Sequence, residues 1–261
     1  MTSSSISNAE QQARIDLAAC YRLVDLYGMS DMILNHITLR LPDSVTGGEK
    51  HFLINPFGLM YHEITASSLI KVALDGKVIH NPHVHYTVNQ PGYVIHSAIH
   101  GARHDITCVL HTHTPAGMAV SALDCGLLPL NQTAMRFAGS VAYHDFEGVA
   151  VDLDERQRLV ADLGANDVMI LRNHGLLTVG VTVAEAFVNM LRLERACQTQ
   201  LLTLSAGASL RLPPQPIIDK TFQQLRRQPS PDKHGRFPPH GEREWPALLR
   251  LLDSRDPSYK D

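Results

Sequence analysis

The sequence predicts an α/β fold built in layers. Segments with helical and strand-like apolar periodicity alternate along the chain, which argues for helices packed on a sheet. Several strand-like runs are joined by turns too short for a crossover, which argues for a mixed or largely antiparallel sheet. With 261 residues, 44% of them hydrophobic, the chain can bury a full core in one large domain, or in one domain plus a tail.

Residues 1–8 are polar, and Asn8 is the predicted cap of a first helix. Its apolar positions Ile15, Leu17, Ala18, Tyr21, Leu23, Val24 and Leu26 recur at helical spacing, and Gly28 fits its end. Strands are expected over Ile33–Leu41 and Phe52–Asn55, with Gly47-Gly48 turning between them and Pro56-Phe57-Gly58 breaking the second. Leu69–Leu74 and Lys77–Ile79, linked by Asp75-Gly76, read as a hairpin. Val94–Arg103 reads as a helix with Ile95, Ala98 and Ile99 on one face. A strand over Thr107–Leu110 follows, and Thr114 or Pro115 opens the next helix. Asp154–Leu163 is helical, Val168–Leu171 and Leu176–Val179 are strands, and Thr182 with Glu185 forms a capping box for a helix ending near Ser205.

This divides the chain into a domain over 1–205 and an extension over 206–261. Pro213, Pro214, Pro216, Pro229, Pro231, Pro238 and Pro239 interrupt the extension. Short helices are expected near Phe222–Arg227 and around Trp245–Leu252, packing on the domain or on a neighbouring subunit.

Composition narrows the function classes. A net charge of −3 gives no basic field for nucleic acid or anionic lipid. No apolar stretch approaches the roughly 20 residues that span a bilayer. The first residues lack the charged and apolar segments of a secretory signal, so a cytoplasmic protein is expected. Cys20, Cys108, Cys125 and Cys197 are widely spaced in apolar or helical contexts, as reduced packing residues would be.

The chemistry lies in the histidines. His111 and His113 are two residues apart after the apolar run Cys108-Val109-Leu110, so both leave that strand on one face. His174 follows a second apolar run, Val168–Leu171, in the turn-prone Asn173-His174-Gly175. Three neutral imidazoles converging on one point make a divalent metal site, catalytic if a coordination position stays open. Against this, the chain has 15 histidines, and close pairs arise by chance on surfaces. His80, His83 and His85 read as such a solvated loop, and His234 and His240 have no partner pattern.

A set of ordered motifs resembles the class II aldolase/adducin family over about residues 12–205. They are Asn35-His36-Ile37-Thr38-Leu39-Arg40, Asn55-Pro56-Phe57-Gly58, Leu74-Asp75-Gly76, His96-Ser97-Ala98-Ile99-His100, Cys108 to His113, Leu171 to Gly175, and Ala184-Glu185-Ala186-Phe187. These variants, with Tyr143 to Gly148, are closer to the adducin-like bacterial branch than to the sugar-phosphate aldolases. The resemblance implies a three-layer α/β/α sandwich around a mostly antiparallel sheet. It also implies a divalent ion, zinc first and iron or manganese as alternatives, on the positions matching His111, His113 and His174. It implies a homo-oligomer, dimer or tetramer, and metal-assisted chemistry on a small hydroxy-keto or hydroxy-acid substrate.

The match breaks at the proton-moving group. Where the family's aldolases carry an acidic residue four positions before the helix histidine matching His96, this chain has Gly92. Their phosphate-holding serine pair is replaced by Gln90-Pro91. The positions matching their substrate loops are His36, Phe57 and Gly58, with bulk in place of a hydroxyl. The candidates to move a proton are His96, Tyr143, His144 and Glu147. The expectation is a lyase or epimerase-like enzyme rather than a typical sugar-phosphate aldolase; the rival is a non-catalytic, adducin-like scaffold that keeps the fold.

Overall fold

The computed structural model describes residues 6–148, 155–226 and 239–261. Asp154, Arg227, Pro229, Pro231, His234 and Pro238 lie outside the described residues. The helices are α1 (Asn8–Leu26), α2 (Asp43–Thr46), α3 (Gln90–Ala102), α4 (Pro115–Ser121), α5 (Gln132–Met135), α6 (Glu155–Leu163), α7 (Val183–Ser205), α8 (Gln215–Arg226) and α9 (Glu244–Arg255). The strands are β1 (His36–Arg40), β2 (His51–Ile54), β3 (Ile70–Ala73), β4 (Val78–His80), β5 (Cys108–Thr112), β6 (Val141–His144), β7 (Val168–Leu171) and β8 (Gly175–Gly180). They form one sheet in the order β4-β3-β2-β1-β5-β8-β7-β6. Among the described residues only β6 and β7 run parallel; every other neighbouring pair is antiparallel.

Period-2 alternation sends each strand's apolar residues to opposite faces, and helices cover both. On one face Leu17 and Tyr21 of α1 and Phe187, Met190 and Leu193 of α7 join Ile37, Cys108, Leu110 and Leu176. On the other, Ile95 and Ile99 of α3 and Leu159 and Leu163 of α6 lie over Val109, Met169, Leu177 and Val179. Phe52, Ile54, Ile70, Val72 and Tyr93 form a further cluster. The fold is thus the three-layer α/β/α sandwich with a mostly antiparallel sheet. Each fully buried aliphatic or aromatic side chain contributes roughly 1.5–3 kcal/mol.

Two buried polar groups tie α1 to the rest of the domain. The Tyr21 hydroxyl accepts the backbone N–H of Ile37 at 2.9 Å and of Asn55 at 3.1 Å. Arg14, 1% exposed, is neutralised by Glu10 at 2.9 Å and donates to the Leu69 carbonyl at 2.9 Å. A buried guanidinium is tolerable only when paired in this way.

Several boundaries differ from the sequence expectation. Ser7, not Asn8, caps α1, its hydroxyl accepting from Glu10 N. α3 begins at Gln90 rather than Val94, because proline costs little in a first turn whose N–H groups have no helical partner. Pro216 sits in the same way at the start of α8, which therefore begins before Phe222. The Glu185 carboxylate reaches Val181 N, one residue short of the reciprocal capping-box bond, while Thr182 Oγ1 accepts from Glu185 N as expected. Cys20, Cys108 and Cys197 are buried, but Cys125 is exposed and is no packing residue.

The last residues pack against α1 and α7. The Trp245 ring lies 6.2 Å from that of Phe187. Ala66 N and Ser67 N donate to the carbonyls of Tyr259 and Asp261. Among the described residues no helix is long and apolar enough to cross a membrane.

Candidate metal centre

β5 and the turn before β8 bring the three predicted histidines together. His111 is still within β5, opposite Leu177 of β8 and His36 of β1. His113 follows two residues on, just before α4, whose cap Thr114 accepts from Gly117 N. His174 is presented by a tight turn: Asn173 adopts φ +54°, a conformation asparagine tolerates better than most residues, and His174 N bonds the Leu171 carbonyl. The Nε2 atoms of His111 and His113 are 2.8 Å apart, and those of His113 and His174 are 3.0 Å apart.

The outer nitrogens decide what those Nε2 atoms are. His111 Nδ1 lies 2.8 Å from the Leu176 carbonyl, which can only accept, so Nδ1 carries the proton. His113 Nδ1 lies 3.2 Å from Asp31 Oδ2, again an acceptor. In neutral rings both Nε2 atoms are then bare lone pairs facing each other. Burial, reinforced by the surrounding histidines, holds His111 well below the usual imidazole range. Burial and His113 hold His174 down at about 4. Neutral imidazoles with bare nitrogens turned inward repel one another unless a cation sits between them. The donor set therefore fits a divalent ion, with Asp31 orienting one ligand from behind.

The trio opens into a cavity of about 790 Å³. Leu34, Phe57, Val88, Ile95, Met118 and Phe146 form much of its wall, and no lysine or arginine among the described residues lines it. Among the described residues its carboxylate is Asp31, a residue the sequence did not single out: it follows the end of α1 in a loop, outside any motif, and meets His113 only through the fold.

The other expected site residues are distributed unevenly. His36 and Phe57 line the cavity. Gly58 does not, but it fixes the loop: at φ +125° a Cβ there would lie 2.6 Å from the Tyr86 ring. His96 is fully buried and touches His36, its Nε2 lying 2.8 Å from His36 Nδ1. Tyr143 accepts from Leu127 N, with Arg172 stacked 4.3 Å over its ring. His144 Nδ1 bonds Asp162 at 2.7 Å, and Glu147 pairs with Arg158 at the surface. These last three side chains are outside the cavity wall.

Residues 15–201 match the family described as the class II aldolase and adducin N-terminal domain. A Pseudomonas aeruginosa protein provisionally named a class 2 aldolase is 49% identical over 98% of this chain and 94% of its own. Rat alpha-adducin is 46% identical over 94% of this chain, which spans only 33% of the adducin. The crystal structure of an aldolase II superfamily protein from Pseudomonas syringae superposes with a TM-score of 0.88, at 48% identity and 98% coverage of both chains. The chain belongs to the class II aldolase/adducin family.

Proposed function

We propose that the protein is a metal-dependent lyase or epimerase-like enzyme acting on a small, unphosphorylated hydroxy-keto or hydroxy-acid compound. The observation that carries this reading is the convergence of three Nε2 atoms, two of them with their Nδ1 protons committed elsewhere, in the wall of a largely apolar cavity. His111, His113 and His174 hold the ion, zinc first with iron or manganese as alternatives. When bound, such an ion supplies Lewis-acid polarisation of a carbonyl oxygen. The protein's part is orientation and exclusion. The Leu176 carbonyl and Asp31 fix two ligand rings, and Phe57, Val88 and Ile95 keep water from the reacting end of the substrate. Among the described residues the wall offers a phosphate no lysine or arginine, which favours an unphosphorylated substrate. A cytoplasmic homo-oligomer belongs to the same reading.

Metal analysis tests it. Protein purified without chelators and then offered zinc, iron(II) or manganese should hold about one ion per chain, and His113→Ala should hold none. Failure to retain any first-row divalent ion would overturn the assignment.

A second reading, a non-catalytic binding or scaffold protein, is favoured by the adducin similarity together with Gly92 in place of the acidic residue. On that reading His113→Ala leaves partner binding unchanged and no turnover exists to lose.

A further inference from the structure

His36 sits at the end of a buried chain of polar side chains on β1 and α3. His36 Nδ1 is 2.8 Å from His96 Nε2, His96 Nδ1 is 2.7 Å from Thr38 Oγ1, and Thr38 Oγ1 is 2.8 Å from His100 Nε2. The chain ends at His100 Nδ1, which is buried and has no hydrogen-bond partner among the described residues. His96 and His100 are one helical turn apart on α3, so one hydroxyl from β1 reaches both.

Thr38 has a single hydroxyl proton. Between two neutral rings it donates to one and accepts from the other. That requirement couples the tautomers. If Thr38 donates to His96, then His96 Nε2–H donates to His36 Nδ1, His100 Nε2–H donates to Thr38, and all three rings carry their proton on Nε2. If Thr38 donates to His100, all three carry it on Nδ1. The second state places an N–H at the blind end beside Phe52, whose ring is 4.6 Å from that of His100. The first places a lone pair there. An orphaned buried N–H is the rarer and costlier defect, so the first state wins. It also avoids adding a fourth inward lone pair next to His111, whose ring is 5.2 Å from that of His36.

We propose that this relay locks His36 as a neutral Nε2–H donor facing the cavity, where it donates a hydrogen bond to an oxygen of the substrate. The relay needs neutral rings. His36, His96 and His100 are all buried, and burial away from water disfavours the charged form of a ring. A neutral imidazole in this tautomer stabilises a developing oxyanion without giving up its proton. The donor role rests on the cavity being the substrate chamber. The tautomer does not.

Two measurements test the proposal separately. Long-range ¹⁵N–¹H correlation spectra of histidine-labelled protein at pH 7.5, metal-free and zinc-loaded, should show His36, His96 and His100 each protonated on Nε2 and bare on Nδ1. Protonation on Nδ1, or a His36 Nε2 that shifts as a zinc ligand, overturns the relay. The second measurement is calorimetric binding of glycolate to zinc-loaded protein. His36→Leu should weaken binding by at least about tenfold, while His36→Gln, whose amide can offer an N–H at a similar reach, should stay within about threefold of the parent. Unchanged affinity in His36→Leu, or loss in His36→Gln at full zinc content, overturns the donor role. If the parent protein takes up no zinc, the metal reading fails and the tautomer result still stands.

Discussion

The ring of His36 occupies the space that a side chain at position 92 would fill. A Cβ added to Gly92 would lie 2.2 Å from His36 Cδ2 and 2.4 Å from Nε2. The missing acidic residue and the unexpected histidine are therefore one change: only glycine at 92 lets an imidazole enter from β1. Alanine in place of glycine within a helix normally stabilises by about 0.5–1 kcal/mol. Here Gly92→Ala should instead destabilise by about 1–3 kcal/mol through overpacking. His36→Ala should relieve it, so that the double variant is more stable than the two single effects sum to. Urea unfolding of the four proteins checks this, and additive effects would show that the two sites do not collide.

A bound ion should stabilise the fold by mass action. Free zinc at 100 times its dissociation constant adds about 2.7 kcal/mol. Thermal unfolding of the parent should rise with added zinc and fall back with a chelator. His174→Ala should flatten that response, since the ion would lose one of its three nitrogens. A zinc-dependent rise of equal size in the variant would place the ion elsewhere.

Asp31 holds His113 from the side away from the trio. Asp31→Asn keeps the shape and removes the charge, so zinc affinity should drop about 10–100-fold with the fold intact. A competition titration against a fluorescent chelator reads the difference. An unchanged affinity would reduce Asp31 to a surface residue that happens to touch a ligand.

The site was legible where chemistry and local period coincide. His111 and His113 share a face because a strand alternates, and Asn173-His174-Gly175 announces a tight turn after an apolar run. What could not be read was set by register and distance. His36 stands opposite His111 only because β1 pairs with β5 in that register. Asp31 reaches His113 across 82 residues of sequence. The apolar period that marks α3 in the sequence starts only at Val94, after Pro91-Gly92. The structure uses the proline as a first-turn residue and the glycine as room for a ring. Most of the layered fold followed from apolar periodicity, whereas Cys125 shows that an apolar neighbourhood in sequence does not secure burial.

Trp245 links the C-terminal extension to α1 and α7. Its ring packs on Phe187, and its indole N–H lies 3.4 Å from Asp16 Oδ1. The side chain is only half-buried, so Trp245→Ala should cost about 1–3 kcal/mol, less than a fully buried tryptophan would. Denaturant unfolding with coincident transitions by fluorescence of other residues and circular dichroism would show the extension melting with the domain. A loss below measurement error would mean that it docks without contributing stability.

The buried histidines should make the metal-free protein acid-labile. His100 titrates at about 3 in the folded state because burial disfavours its charged form, with Arg40 acting in the same sense. In the unfolded chain it titrates near 6.5. Above pH 6.5 neither state binds the proton, and the neutral ring's contribution is fully present. As pH falls below 6.5 the unfolded chain takes up a proton that the native state refuses. Stability then declines by up to about 1.4 kcal/mol per pH unit for this ring until the folded group protonates near 3. His36 and His96, also held low by burial, add to the same slope. His100→Gln keeps an N–H for Thr38 but cannot titrate. Its unfolding free energy, measured with a chelator present between pH 7.5 and 4.5, should fall less steeply than the parent's by close to one proton. Parallel curves would mean that His100 takes up its proton in the native state at the same pH as in the unfolded chain, which would remove the burial-enforced neutrality of this ring.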